Sequence, residues 1–258
     1  AAGLKNFWLC CGSSFGIAQG AGCGKYLAQW MLHGDSEINM TGFDPRRFGS
    51  FADDDYMHAK GFQDYGRTYF TPLPGEELPA GRPQRTSPLY EKLKAKGCVY
   101  TETFGWERPK WFSPDGRDED YSFGRNNVFD VVRDECIAVR ERVGVLDLSG
   151  FAKYDVSGPN GREFLDRLLA NKVPGRDGRI VLAHFLSKNG RIAGEVTVTR
   201  FAEDRYYLLS AAGAELRDLD HLLQGRNDGE DVKVDNVTDE RGVLVLAGPR
   251  SRDGLSSL

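Results

Sequence analysis

The sequence predicts an α+β fold, and three observations carry that expectation. Beyond residue 98, alternating apolar stretches come in pairs, with helix-period segments between them. Asn189-Gly190 lies between two apolar runs, a strong short-range mark of a hairpin. The amino end reads differently, as a strand, a glycine loop and a helix start within residues 7–30.

In that first segment Gly12, Gly16, Gly20, Gly22 and Gly24 follow a short apolar run. Bare backbone of this kind can approach a flat or anionic ligand at the positive end of a helix. It is not a phosphate-binding P-loop, because Gln19 stands where glycine is required and Tyr26 follows Gly24-Lys25 in place of Ser or Thr. It is not a dinucleotide fingerprint either, since Lys25 occupies the third glycine position counted from Gly20 and Gly22. The same glycines would also permit close packing of helix on strand, and the residues alone leave both readings open. Leu27, Trp30 and Met31 then recur at helical spacing, with Gly34 placed to end the helix.

Residues 35–90 show little apolar periodicity apart from a polar, helix-compatible piece from Asp53 to Tyr65. Pro72, Pro74, Pro79, Pro83 and Pro88 follow closely on one another and predict an extended, stiff connector. Ser87-Pro88 has the form of a helix cap followed by a first-turn proline, and Gly97 is placed to close that helix. Cys98–Thr103 alternates as a strand, and Gly105–Phe112 is expected to be an aromatic-rich loop. A helix is predicted between Val128 and Val143. Strands follow at Val145–Leu148 and Phe151–Val156, and a helix over Asn160–Asn171 buries Phe164, Leu165, Leu168 and Leu169. The remainder reads as a meander from Ile180 to Ser210, a helix marked by Leu216, Leu219, Leu222 and Leu223, strands at Asp231–Val237 and Val243–Ala247, and a helix start at Gly248-Pro249.

At 258 residues, with 40% hydrophobic and 28% charged side chains, the chain can bury one or two ordinary cores. The net charge of −4, with Lys and Arg scattered, gives no nucleic-acid footprint. Cys10, Cys11, Cys23, Cys98 and Cys136 show no CxxC spacing and are odd in number, which fits a reducing compartment rather than a disulfide framework or a zinc site. His33, His58, His184 and His221 lie far apart in sequence and form no metal motif, so no metal is expected. No apolar run is long enough to span a membrane. The absence of an initiator Met and the abrupt end at Leu258 predict a processed chain or a fragment.

Taken in order, several motifs resemble the dimethylglycine and sarcosine dehydrogenase family, flavoproteins joined to a folate-binding half similar to the aminomethyltransferase (T-protein) of glycine cleavage. They are Gly12-Ser-Ser-Phe-Gly-Ile17, Phe43-Asp-Pro-Arg-Arg-Phe48, Arg85-Thr-Ser-Pro-Leu-Tyr90, Gly105-Trp-Glu-Arg-Pro-Lys-Trp-Phe112, Asp147-Leu-Ser149, Gly190-Arg-Ile-Ala-Gly-Glu-Val-Thr-Val198 and Ala247-Gly-Pro249. The resemblance implies three parts: the carboxyl-terminal edge of an FAD-binding oxidoreductase domain (1–40), a central connector (41–90), and an incomplete folate-binding α+β domain with an antiparallel sheet (91–258).

The resemblance further implies two cofactors, FAD and tetrahydrofolate, and a small N-methyl amine as substrate. Gly12, Ser13, Ser14, Phe15, Gly16 and Ile17 are the family positions beside the flavin, where backbone N–H groups stabilise charge that builds on its pyrimidine edge. On the strand after the Asn-Gly turn, Glu195 matches the family's carboxylate, with Val196 and Thr197 as its folate-side neighbours. Such a carboxylate can orient a folate nitrogen or move its proton during one-carbon transfer. Related aminomethyltransferases carry two aspartates there, whereas this chain has Gly194-Glu195. Strand periodicity alone puts Glu195 with Arg191, Thr197 and Thr199 on the face opposite Val196 and Val198, as a solvated residue would be. A non-catalytic regulatory relative and a folate-only aminomethyltransferase stand as alternatives. The expected compartment is the cytoplasm in a bacterium or the mitochondrial matrix in a eukaryote.

Of the remaining candidates, Trp106, Trp111 and Phe112 are expected to pack rather than to line a pterin slot. Arg82, Arg85 and Arg108 are expected to meet carboxylates of the protein itself. Asp147 is expected to hold a turn through side-chain bonds to the backbone.

Overall fold

A computed structural model describes residues 6–12 and 15–256. In chain order the elements are α1 (Gly16–His33), α2 (Asp54–Gly66), α3 (Tyr90–Lys94), β1 (Cys98–Thr103), β2 (Trp106–Phe112), α4 (Phe129–Glu141), β3 (Gly144–Asp147) and β4 (Ala152–Ser157). They continue with α5 (Gly161–Leu168), β5 (Ile180–Leu186), β6 (Ile192–Ala202), β7 (Arg205–Ser210), α6 (Glu215–Gln224), β8 (Lys233–Asn236), β9 (Leu244–Ala247) and α7 (Ser251–Ser256). Among the described residues no helix is long and apolar enough to cross a membrane, and no group of three or more His, Cys, Asp or Glu side chains is placed to hold a metal ion.

The chain divides into two compact units, one made of residues 1–49 and 151–238, the other of 50–150 and 239–258. The first contains an antiparallel five-stranded sheet in the order β5-β6-β7-β4-β8. One face of this sheet carries the core. Tyr154 and Val156 of β4, Ala183 and Phe185 of β5, Val196 and Val198 of β6, and Tyr206 and Leu208 of β7 are sealed there with Phe164 and Leu165 of α5 and Leu222 of α6. Full burial of a side chain such as Phe164 contributes about 2–3 kcal/mol. Of the leucines expected to mark α6, Leu222 is buried whereas Leu223 is exposed. The outer edge of β5 is closed by the segment after α5: Ala170 N–H donates to the His184 carbonyl (2.9 Å), and Asn171 Nδ2 donates to the Leu182 carbonyl (2.8 Å).

In the second unit β1 and β2 form a hairpin and β3 pairs with β9. The expected loop at Gly105–Phe112 is therefore a strand. Two features hide it in the sequence. Pro109 argues against a strand interior, yet it pairs with Tyr100 at an irregularity in the register. The turn is Phe104-Gly105, both at positive φ (51° and 80°), the primed-turn geometry that Asn-Gly or Asp-Gly normally announces. Trp106 and Trp111 are buried in this unit, at 5% and 2% exposure, as packing residues. The Asp147 carboxylate accepts from Ser149 N–H (2.9 Å), Ser149 Oγ (2.6 Å) and Ser87 Oγ, which extends the expected turn bonding into a buried three-residue network. Ser87 Oγ in turn accepts from Leu89 N–H (3.2 Å) as the chain enters α3.

The amino-terminal reading needs correction. Residues 7–12 form no strand, and the helix begins at Gly16, so that Gly20, Gly22 and Gly24 lie inside α1 rather than in a loop. Glycine permits a loop without imposing one: in this segment only Gly12 takes a positive φ, 79°, and the helical glycines cost about 1 kcal/mol each relative to alanine. A Cβ added at Gly16, Gly20, Gly22 or Gly24 meets nothing within 4 Å, so close packing does not explain them among the described residues. Gly34 ends α1 in the left-handed conformation, as expected, its N–H bonded to the Trp30 carbonyl (2.9 Å).

Candidate functional site

Two groups of sequence-selected residues belong to the first unit. The amino-terminal group comprises Gly12, Phe15, Gly16 and Ile17; Ser13 and Ser14 lie outside the described residues. Phe15 is the residue before the first turn of α1 and supplies no side-chain cap, and no acidic residue occupies that turn. The first amides of α1 therefore point outward as donors without an acceptor in the helix. Ile17 is fully exposed beside them. Trp8 meets Trp30 edge-on at 5.7 Å, tying residues 7–12 to the helix body. A Cβ added at Gly12 would meet nothing within 4 Å among the described residues, so the approach to the helix start is open there.

The second group lies on the sheet face turned away from the core. There β5 presents Leu182 and His184, and β6 presents Glu195 and Thr197. His184 and Glu195 are direct cross-strand partners, with Nε2 and Oε2 3.3 Å apart. The Glu195 side chain is 62% exposed, and that of His184 31%. Leu182, Thr197 and Leu209 form the neighbouring rung. A carboxylate held by an imidazole above an apolar strip can meet a cationic or N–H-bearing flat ligand. Val196 contributes no side chain to this face, being 1% exposed within the core, and its main chain is taken up in the ladder between Ala183 of β5 and Ser210 of β7. Thr197 is half-buried and shares the face of Glu195.

Sequence reasoning passed over His184 as an isolated histidine. The signal was present: His184 and Glu195 stand five residues on either side of Asn189-Gly190, and a hairpin about that turn makes them opposite. The pairing survives an irregularity, because Phe185 pairs with Gly194 while Leu186 pairs with Ile192. Ala193 is thus an unpaired extra residue, a bulge two positions before Glu195.

Behind that bulge lies α6. Asp218 Oδ1 accepts from Arg217 Nε (3.1 Å) and Nη2 (3.0 Å), while Asp218 Oδ2 is buried without a hydrogen-bond partner. Burial raises the Asp218 carboxyl above its usual range against the opposing Arg217 charge. Burial likewise lowers His221, whose ring lies 4.6 Å from Phe185. Arg46 bridges Asp44 (2.6 Å) and Asp220 of α6 (2.7 Å), tying the helix to the chain at residues 44–46. Of the arginines considered for a ligand, Arg82 is committed to Glu107 (2.6 Å) and Glu77 (3.2 Å), and Arg85 to Asp239 (2.6 Å).

Comparison with known proteins adds the family. Residues 33–87 match the FAD dependent oxidoreductase central domain, and residues 89–258 match the GCVT N-terminal domain. Mitochondrial dimethylglycine dehydrogenase of Mus musculus is 39% identical over 99% of this chain and 30% of its own length. Mitochondrial sarcosine dehydrogenase of Homo sapiens is 30% identical over 96% of this chain and 32% of its own length. The chain thus spans about a third of the length of these relatives. The glycine cleavage system aminomethyltransferase T of Bartonella henselae superposes with a TM-score of 0.55 at 26% identity, over 67% of this chain and 43% of that one. With the match covering 89–258, the chain belongs to the GCVT N-terminal domain family, carried here behind an FAD dependent oxidoreductase central domain.

Proposed function

We propose that the protein to which this chain contributes oxidatively demethylates dimethylglycine or sarcosine and delivers the one-carbon unit to folate. FAD, when bound, takes hydride from the N-methyl group, and tetrahydrofolate takes up the carbon of the resulting imine as a methylene group. The observation that carries the folate half is the exposed Glu195 carboxylate opposite His184, on the core-free face of the sheet and within the matched family domain.

In this reading Glu195 faces the nitrogen at which positive charge develops and either balances that charge or holds its proton. His184 keeps the carboxylate turned along the strand. Thr197 adds a hydroxyl, and Val196 anchors the strand from the core side. At the amino end, Gly12 and the first amides of α1, with Phe15, Gly16 and Ile17, would hold the flavin, the amides donating to its polar edge; Ser13 and Ser14 belong to the same stretch of sequence. The partners are small N-methylated amino acids, with no nucleic acid. The proposed location is the mitochondrial matrix in a eukaryote and the cytoplasm in a bacterium.

The test uses the complete protein. Sarcosine or dimethylglycine should bleach its flavin absorption, and Glu195→Gln should preserve that bleaching while lowering the yield of methylenetetrahydrofolate. A colourless protein would favour a regulatory role. An unchanged yield in Glu195→Gln would remove Glu195 from the transfer step.

A further inference from the structure

We infer that the Arg217–Asp218 pair of α6 is a positioning device for Glu195, seated against the main chain where Gly194 leaves room for it. The inference rests on the transfer role of Glu195 proposed above.

Ala193 forms a bulge two residues before Glu195. A bulge bends its strand and breaks the ladder locally, and pairing resumes only at Gly194, so the rung of Gly194 and Phe185 is all that separates Glu195 from the break. Glu195 comes two residues later and projects from the core-free face, where the packed core does not hold it. A second restraint is needed if its carboxylate is to keep one direction.

The restraint lies on the other side of the sheet. A Cβ built on Gly194 would stand 3.2 Å from Phe185 Cδ2, 3.3 Å from Arg217 Nη2 and 3.4 Å from Asp218 Oδ1. The guanidinium and the carboxylate therefore lie flush against the strand at the residue before Glu195, in space that a side chain would have taken. Phe185, the ladder partner of Gly194, is held by the same helix through the His221 ring. Both members of the rung adjoining His184–Glu195 are thus gripped by α6. Arg217 also reaches Thr41 Oγ1 (3.5 Å).

The cost of this arrangement is visible. Asp218 is 2% exposed, and its Oδ2 has no hydrogen-bond partner. An unsatisfied buried carboxylate oxygen calls for an explanation, because an apolar residue at that position would avoid the penalty. Holding the bulge in register beside a reacting carboxylate supplies one.

The test is a mutant cycle in the complete protein, read by single-turnover methylene transfer, amine-driven flavin bleaching and tetrahydrofolate binding. Asp218→Asn and Arg217→Lys should leave bleaching and folate affinity within about twofold and slow the transfer by about tenfold or more, as misplacement of a reacting group does. In the Glu195→Gln background the same changes should slow it no further, because a residue that acts through Glu195 has nothing left to position. Arg217→Lys keeps a charge beside Asp218 and serves if Asp218→Asn fails to accumulate. Equal transfer rates, or slowing that multiplies with Glu195→Gln, would overturn the positioning role while leaving Glu195 in place. A Glu195→Gln protein that transfers normally would overturn the parent reading, and this inference with it.

Discussion

His184 and Glu195 stand directly opposite each other on β5 and β6, their Nε2 and Oε2 atoms 3.3 Å apart on the face of the sheet that carries no core. Nothing in the packing requires this pair, since the opposite face supplies the burial that holds the strands together. Its conspicuous property is orientation: an exposed glutamate with several free rotamers gains a partner that favours one of them.

That partner should matter to transfer and hardly at all to folding. His184→Ala is expected to lower methylene transfer about fivefold, the equivalent of one hydrogen bond of about 1 kcal/mol, with an unchanged thermal midpoint. Rapid-quench measurement of the transfer step beside a thermal melt would check it, and a shifted midpoint with normal transfer would contradict it.

The buried network of Ser87, Asp147 and Ser149 makes a stability prediction in the second unit. Asp147→Ala strips the partners from two hydroxyls and one N–H and should destabilise that unit by about 3 kcal/mol. Ser87→Ala should cost less, about 1–2 kcal/mol, and the double variant should cost less than the sum, because the residues share one hydrogen bond. Urea denaturation of the three variants measures the coupling.

Gly158 separates backbone strain from steric exclusion. Its φ is 121°, and a Cβ there would lie 2.3 Å from the Asp231 carbonyl oxygen, which belongs to main chain and cannot swing away. Gly158→Ala should therefore cost about 3 kcal/mol or more. At Gly178 the φ is also positive, 75°, but the space is open, so Gly178→Ala should cost only about 1 kcal/mol. Comparing denaturation midpoints of the two variants isolates the steric part.

Buried titrating groups on α6 predict opposing effects of pH on stability. His221 has a lowered folded pKa, so its contribution is intact above the unfolded value of about 6.5 and is lost as the pH falls from there toward the folded value. Asp218 has a raised folded pKa, so its contribution is present below the unfolded value of about 3.9 and is lost as the pH rises toward the folded one. Asp218→Asn should therefore compare with the parent more favourably at pH 7 than near pH 3. Urea midpoints across this range provide the check. Greater stability with slower transfer would be the usual trade at a functional position.

Much of this was legible from the residues. The meander β5-β6-β7, the helices around it, the left-handed stop at Gly34 and the Asp147 turn all follow from local periodicity and capping chemistry. The His184–Glu195 pair was within reach by counting outward from Asn189-Gly190. Three features were not. The bulge at Ala193 has no local signal in the sequence. The β1-β2 turn is built on Phe104 at positive φ, which no turn rule anticipates for an aromatic residue. Asp218 reads as an ordinary polar position of an amphipathic helix, and its burial emerges only when α6 is laid on the sheet beside Gly194.

The first compact unit draws on two stretches of chain, residues 1–49 and 151–238, with a hundred-odd residues of the other unit between them. Synthesis must therefore release its opening segment long before the β-meander that completes it, a delay on the order of ten seconds at ordinary translation rates. During that interval the Arg46 guanidinium waits for Asp220, and the Ser36 carbonyl for Arg191. A cut at the junction of the two matched family domains would separate these partners permanently, so the natural place to divide the molecule by sequence is not a place where its folding can be divided.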